Sequence, residues 1–280
     1  MKVKAFAKVN LALDIIGKQY NGYHELNMIM QTIGIYDLIN IEIIPKGIEI
    51  LCSRKYIPTD KRNTVYKAAQ ILIDKYNIEY GVRIKIKKTV PSQAGLGGGS
   101  SDAAEGLKSM NKLFNLNISN EDLAFIAKDI GADVPFFIYG GTALCQGIGE
   151  KITKLRGLKD KHLLLIKPGF GVSTKEAYNL YDLERDITHP DIDLVIKAIE
   201  QDNIKALSLN MGNVLEGVVI KKHPEIEKIK NELVKAGAIT ALMTGSGSTV
   251  FSLFNDYEKG ILAYKKMKSK YKDVFLTKTI

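Results

Sequence analysis

The sequence predicts an α+β protein built in two halves. Three observations carry this. Segments with apolar residues at every second position, and others with apolar residues at helical spacing, occur in both halves. A strand pattern, a glycine-rich loop and a helix pattern follow one another between residues 81 and 114. A polar stretch at 151–161, containing Gly157, separates two sets of elements and suggests domains at 1–155 and 156–280.

In chain order, Val3 to Ile15 reads as a strand, with Val3, Ala5, Ala7, Val9, Leu11 and Leu13 alternating. Residues 17–24 are polar and turn-like. Met28–Ile33 and Asp37–Ile44 read as two further strands. Asn63–Tyr76 carries Val65, Ala68, Ala69, Leu72 and Ile73 at helical spacing, and 81–90 alternates at Val82, Ile84 and Ile86. Ala103, Leu107, Met110 and Phe114 mark one helix face, and a short helix is expected over 120–130. The second half reads as a strand at 162–166 and helices near 175–180, 193–209 and 224–235. A hairpin (238–243, 249–254), a helix at 257–270 and a last strand complete it.

The composition is that of a globular protein, with 45% hydrophobic and 25% charged residues in 280. The net charge of +9 fits lysine-rich usage or a polyanionic ligand such as a nucleotide. Basic residues come at most in pairs, so nucleic-acid binding is not expected. Cys52 and Cys145 form no metal or disulfide pattern and read as reduced, buried thiols. Lys8, Asn10 and Asp14 interrupt any apolar leader, and no run of 18 apolar residues exists, so a cytoplasmic protein away from the membrane is expected.

The densest signal is Pro91-Ser92-Gln93-Ala94-Gly95-Leu96-Gly97-Gly98-Gly99-Ser100-Ser101-Asp102. Glycines at 95, 97, 98 and 99 cost backbone entropy, so the loop needs a reason. Backbone without side chains can wrap a phosphate chain with inward N–H groups, and the helix that follows adds its own free N–H groups and positive dipole end. Ser100 and Ser101 add hydroxyls for phosphate or magnesium; a flexible turn capped by Ser101 or Asp102 is the plainer alternative. No GxxxxGK[ST] occurs, and the sixth position counted from Gly95 is Ser100, so neither common nucleotide motif is present.

Lys8 and Asn10 share the strand face opposite Val9, Leu11 and Leu13, which suits either a solvated face or a site. Asp133, in Gly131-Ala132-Asp133-Val134-Pro135, suits a helix cap or a catalytic base. Tyr23 offers an aromatic face and His24 hydrogen-bonding groups for a pyrimidine, with Tyr178 a second stacking candidate; a surface turn is the alternative. His162, His189 and His223 show no ligand spacing.

Residues 91–104 resemble the second motif of the GHMP kinases (galacto-, homoserine, mevalonate and phosphomevalonate kinases). The segment Ala7-Lys8-Val9-Asn10-Leu11-Ala12-Leu13 resembles the first motif, and Met243 to Ser248 the third. The GLGGGSSDAA form, the Gly22-Tyr23-His24-Glu25-Leu26 segment and GADVPFF are most similar to the branch whose acceptor carries a cytidine diphosphate. The resemblance implies an N-terminal domain of the ribosomal S5 domain 2-like type and a ferredoxin-like C-terminal partner. It implies ATP and Mg2+, with no protein ligand of the metal named, and phosphorylation of an alcohol on a small cytidine-diphosphate derivative by a monomer or homodimer. Asp133 would be the base with Lys8 beside it. Residues 91–101 would hold ATP phosphates, with Asn63 and Val65 near adenine. Asn10, Tyr23, His24, Tyr178, Gly245, Ser246 and Gly247 would face the acceptor. A homoserine- or phosphomevalonate-type kinase is the alternative within the family. A non-catalytic nucleotide sensor and an RNA-binding module are the alternatives outside it.

Overall fold

The computed structural model describes every residue except 21, so that part of the expected 17–24 turn lies outside the described residues. The first half contains β1 (Lys2–Lys18), β2 (His24–Ile44), β3 (Ile48–Cys52), α1 (Thr64–Tyr76), β4 (Gly81–Lys87), α2 (Gly98–Leu113), α3 (Asn120–Ala127), α4 (Val134–Tyr139), β5 (Thr142–Gly147) and β6 (Lys151–Lys154). The second contains β7 (His162–Lys167), α5 (Thr174–Asp182), α6 (Ile192–Glu200), α7 (Ile204–Asn210), β8 (Gly212–Asn213), α8 (Val214–Lys222) and α9 (Glu225–Lys235). It continues with β9 (Thr240–Met243), β10 (Val250–Phe254), α10 (Tyr257–Lys268) and β11 (Asp273–Lys278).

Two sheets organise these elements. The first runs β3-β4-β2-β1-β8, with β5 and β6 branching from β2. The second is four-stranded in the order β11-β7-β10-β9, every neighbour antiparallel. Its strands, counted along the chain, lie 4-1-3-2 with helices after the first and third, which is the ferredoxin-like arrangement. β8 comes from the second half yet pairs with Ala12 and Leu13 of β1, so the halves are stitched through a shared sheet.

Several elements differ from the sequence reading. The two strands expected at 28–33 and 37–44 are one strand, β2, because Gly34 continues the ladder rather than turning it. A Cβ on Gly34 would lie 2.9 Å from the Thr277 hydroxyl of β11, so glycine there serves close approach. The helix expected at 193–209 is broken into α6 and α7 by Asp202 in the left-handed region (φ 49°). β3, β5, β6, β8 and α8 carry too little periodicity of their own to be read from sequence. Cys52 is half-buried, whereas Cys145 is buried as expected.

β1 departs most instructively from simple alternation. Its register against β2 shifts between Phe6 and Lys8 and again between Asn10 and Ala12. At the first shift the extra residues lie on β2, whereas between Asn10 and Ala12 β1 advances two residues against one of β2, and that single extra residue reverses which face the following β1 side chains take. Ala7, Val9 and Leu11 pack in one apolar cluster, while Ala5, Leu13 and Ile15 pack in the other. Leu13 therefore lies on the side of Lys8 and Asn10, not opposite them. Both faces of this stretch are covered: Lys8 is 3% and Asn10 0% exposed.

α1 begins where Asn63 accepts a hydrogen bond from the Val65 amide (2.9 Å), a cap that stabilises a helix by about 1 kcal/mol. α2 begins differently. Its N-cap position is Gly97, in the left-handed region, and no side chain caps it. Its first N–H groups are thus left for something other than the chain itself.

Candidate active site

α2, β1, the turn before α4, α5 and the β9–β10 loop surround one cavity of about 540 Å3, within the range of small-ligand sites. Its wall includes Lys8 and Asn10 from β1, residues 91–100, Asp133, Tyr178 and the Gly245–Ser246 pair.

Lys8 and Asp133, 125 residues apart in sequence, meet here with Nζ 3.7 Å from Oδ2. Lys8 is held from two sides. Its ammonium donates to Asn10 Oδ1 (2.6 Å), and its backbone N–H donates to the Leu96 carbonyl (3.1 Å). Asn10 in turn donates from Nδ2 towards Met28 Sδ (3.4 Å), and its backbone N–H donates to the Thr244 hydroxyl (2.9 Å). Asp133 occupies the N-cap position of α4 but makes no side-chain cap bond, so its one-third-exposed carboxylate stays available to the cavity. The helix-cap alternative thus describes its place and not its use.

The glycine-rich loop folds against the β9–β10 loop. Gly95 and Gly97 have φ of 71° and 68°, a region that disfavours side chains. A Cβ on Gly97 would strike the Phe137 ring at 2.6 Å, and one on Gly245 would lie 3.3 Å from Lys8 Nζ. Asn213 fixes the second loop by donating both amide hydrogens, to the Met243 and Gly245 carbonyls (2.8 Å each), while Oδ1 caps α8 at Leu215 (3.0 Å).

Beneath the loop, Lys88 is buried with Asp37 and Asp102, its ammonium pairing with both carboxylates. Asp37 also accepts from the Val90 amide at 2.9 Å, tying the strand end that leads into the loop. Burial pushes the Asp102 carboxyl up to about 7 despite Lys88, and its Oδ1 has no hydrogen-bond partner. Lys88 stays protonated, because the two carboxylates outweigh its desolvation.

Not every expected site residue reaches the cavity. Ser101 is 1% exposed and spends its hydroxyl on the Phe6 carbonyl (2.6 Å), so it is a clip between α2 and β1 and offers nothing to a phosphate or metal. Ser100 lines the wall instead. Asn63 is a helix cap and Val65 is fully buried against α2, whereas Thr64 between them lines the cavity and donates to the Gly99 carbonyl (2.7 Å). Gly247 turns behind the wall, where a Cβ would meet Met243 Sδ at 2.7 Å. Tyr23 is 60% exposed and does not line the cavity. His24 lies one layer behind Tyr178, ring centroids 4.8 Å apart. Tyr178 itself is in the wall, and burial, then the nearby Asp133 carboxylate, raises its phenol above the usual range. His162, His189 and His223 pack on Tyr257, pair with Asp14 and stack on Phe170, respectively, all away from the wall.

Sequence reasoning missed Lys88, Thr64, Ser173, Thr174 and Leu215 in the wall, and Asn213 and Asp37 behind it. Lys88 had one signal: it is a charged residue at an inward position of the 81–90 alternation.

Residues 63–141 match the GHMP kinases N terminal domain, and residues 195–273 match the GHMP kinases C terminal domain. The chain belongs to the GHMP kinase family. Over its whole length it is 54% identical to the 4-diphosphocytidyl-2-C-methyl-D-erythritol kinase of Clostridium beijerinckii, covering all of that protein. The crystal structure of a 4-(cytidine 5'-diphospho)-2C-methyl-D-erythritol kinase superposes with a TM-score of 0.86 at 28% identity, covering 100% of this chain and 99% of that one. The homoserine kinase of Cytophaga hutchinsonii shares the two-domain fold at a TM-score of 0.79 and 20% identity, covering 100% of this chain and 97% of that one. Among the described residues no helix of this GHMP kinase is long and apolar enough to cross a membrane.

Proposed function

We propose that this GHMP kinase transfers the terminal phosphoryl group of ATP to the 2-hydroxyl of 4-diphosphocytidyl-2-C-methyl-D-erythritol, in the non-mevalonate route to isoprenoids. Its relatives carry that activity in their names across the full length of the chain. The observation that supports the chemistry is the meeting of Lys8 and Asp133 at 3.7 Å on the wall of the loop-lined cavity. Residues 1–155 would form the ATP-binding half and 156–280 its partner, in a cytoplasmic monomer or homodimer.

Phosphoryl transfer asks a protein chiefly for positioning and charge stabilisation. The unspent N–H groups at the start of α2 and the backbone of residues 95–99 suit the phosphates, and Ser100 adds a hydroxyl on the same wall. Asp133 would accept the proton of the acceptor hydroxyl as the new O–P bond forms and the bond to ADP breaks. The Lys8 ammonium would stabilise the negative charge that gathers between them, in a site where its side chain is buried and therefore weakly screened. Tyr178, in the same wall, offers an aromatic face for the cytosine.

Magnesium fits as a companion of the nucleotide and not as a resident ion. Among the described residues no cluster of three His, Cys, Asp or Glu side chains could hold a metal. Mg2+ commonly keeps waters and takes phosphate oxygens with few protein ligands. The Ser100 hydroxyl would be the protein's donor, and the ion would neutralise phosphate charge.

The test is an assay of purified protein with ATP and, in parallel, the cytidylated acceptor, homoserine and phosphomevalonate. Turnover confined to the first supports the proposal. Turnover of homoserine or phosphomevalonate without it would reassign the acceptor.

A further inference from the structure

Asp182 ends α5, outside every motif of the sequence. Its two carboxylate oxygens are shared between both legs of the β1–β2 turn. Oδ1 lies 2.6 Å from His24 Nε2, the first residue of β2, and Oδ2 lies 2.6 Å from Lys18 Nζ, the last of β1. Lys18 and His24 are themselves register partners in the sheet. A single carboxylate from the second half thus grips the closing pair of a hairpin from the first.

The same helix closes around the imidazole. Tyr178 tilts against the His24 ring at 4.8 Å, and Tyr181 meets it edge-on at 5.9 Å and 90°. The Tyr181 hydroxyl reaches back to the Ile15 carbonyl (3.4 Å), again tying α5 to β1. Tyr178 is the member of this group that lines the cavity. The stack therefore runs from Asp182 through His24 to the aromatic wall.

The carboxylate also fixes the state of the ring. Hydrogen bonds from Lys18, then from His24, hold the Asp182 carboxyl below the usual carboxylate range, so it is ionised and only accepts. Nε2 must then carry a proton, and in the neutral ring Nδ1 is the accepting nitrogen.

We infer that Asp182 is a positioning residue for the nucleobase end of the acceptor site: it holds His24 in one tautomer and one orientation against Tyr178, and so sets the aromatic face on which the cytosine stacks. This rests on the acceptor proposed above and names what orders its base pocket. As a plain surface ion pair, Asp182–Lys18 would matter little, since exposed pairs of this kind contribute little to stability. The consequence lies in binding. Without the grip, the ring and the hairpin end must be ordered when the acceptor arrives, and ordering one or two side chains costs roughly tenfold in affinity.

The experiment compares wild type with D182A, K18M, H24A and D182A/H24A. D182A is expected to raise KM for the cytidylated acceptor roughly tenfold, leaving KM for ATP and kcat within about twofold. K18M is expected to leave all three near wild type, and D182A is expected to add nothing in the H24A background. Imidazole 15N shifts of His24 are expected to report a pure Nε2–H tautomer in wild type and a mixture in D182A. An unchanged acceptor KM in D182A, an equal rise in KM for ATP, multiplying effects in the double variant, or unaltered 15N shifts overturns the inference. Wild-type protein that does not phosphorylate the acceptor at all overturns the acceptor assignment, and this inference with it.

Discussion

Gly95 and Thr244 are in backbone contact across the two loops of the site: a Cβ on Gly95 would lie 2.0 Å from the Thr244 carbonyl oxygen. Nothing between them could yield, because both are main chain and Asn213 anchors the carbonyls on either side of Thr244. The absence of a side chain at one position therefore sets the distance between the glycine-rich loop and the loop beside Lys8.

G95A is expected to push the loops apart. The methyl group meets both the Thr244 carbonyl and a backbone at φ 71°, which alone strains a side chain by about 1–3 kcal/mol. Thermal unfolding should show a lowered midpoint, and kcat/KM should fall by roughly a hundredfold or more, since misplacement of about 1 Å costs that much in a positioned reaction.

Asp133→Asn separates chemistry from folding. The carboxylate caps nothing and its ion pair to Lys8 is a long one, so stability measured by urea unfolding should fall by no more than about 1 kcal/mol. Loss of a general base predicts a kcat reduced by roughly 10²–10⁴, with nucleotide affinity by calorimetry close to wild type. A variant that keeps its kcat would remove Asp133 from the reaction.

The neighbouring serines should part company. S101A deletes the buried bond to Phe6 and is expected to cost about 1 kcal/mol of stability while KM for ATP holds. S100A is expected to do the reverse, raising KM for ATP with stability unchanged.

Asp102 predicts a pH signature. Its folded value of about 7 lies above the ordinary value of 3.8, so between roughly pH 4 and 7 the folded chain holds a proton that the unfolded chain releases. Its contribution therefore favours folding below pH 4 and fades as pH rises through 7. The stability difference between wild type and D102N, followed by urea unfolding across pH 4–8, should shift steadily in favour of D102N as pH increases. A flat difference would mean that Lys88 keeps Asp102 ionised throughout.

Much of the candidate site's lining was legible because it uses residue types that local structure does not need. Three consecutive glycines before a helix, and a lysine within an apolar strand, are costly unless used. The corrections fall where local and tertiary demands look alike. Ser100 and Ser101 are equivalent hydroxyls in sequence, and only the rotation of α2 turns one to the cavity and the other to Phe6. Asn63 and Val65 flank the residue that reaches the wall because a helix start places neighbours about 100° apart. Asn213 and Asp182 carry no motif at all; the loop carbonyls that Asn213 holds and the hairpin that Asp182 grips are 30 and more residues away.

The sequence by itself determined the α+β class and the family, and it singled out the glycine-rich loop, Lys8 and Asp133 as candidates, because periodicity and costly residue choices are local properties. Only the tertiary structure decided that the pair meets, that a bulge in β1 between Asn10 and Ala12 brings Leu13 to the cavity side, and that a carboxylate at the end of α5 grips the β1–β2 hairpin. Those outcomes depend on register and on contacts between distant segments, which the one-dimensional pattern of a chain leaves open until packing fixes them.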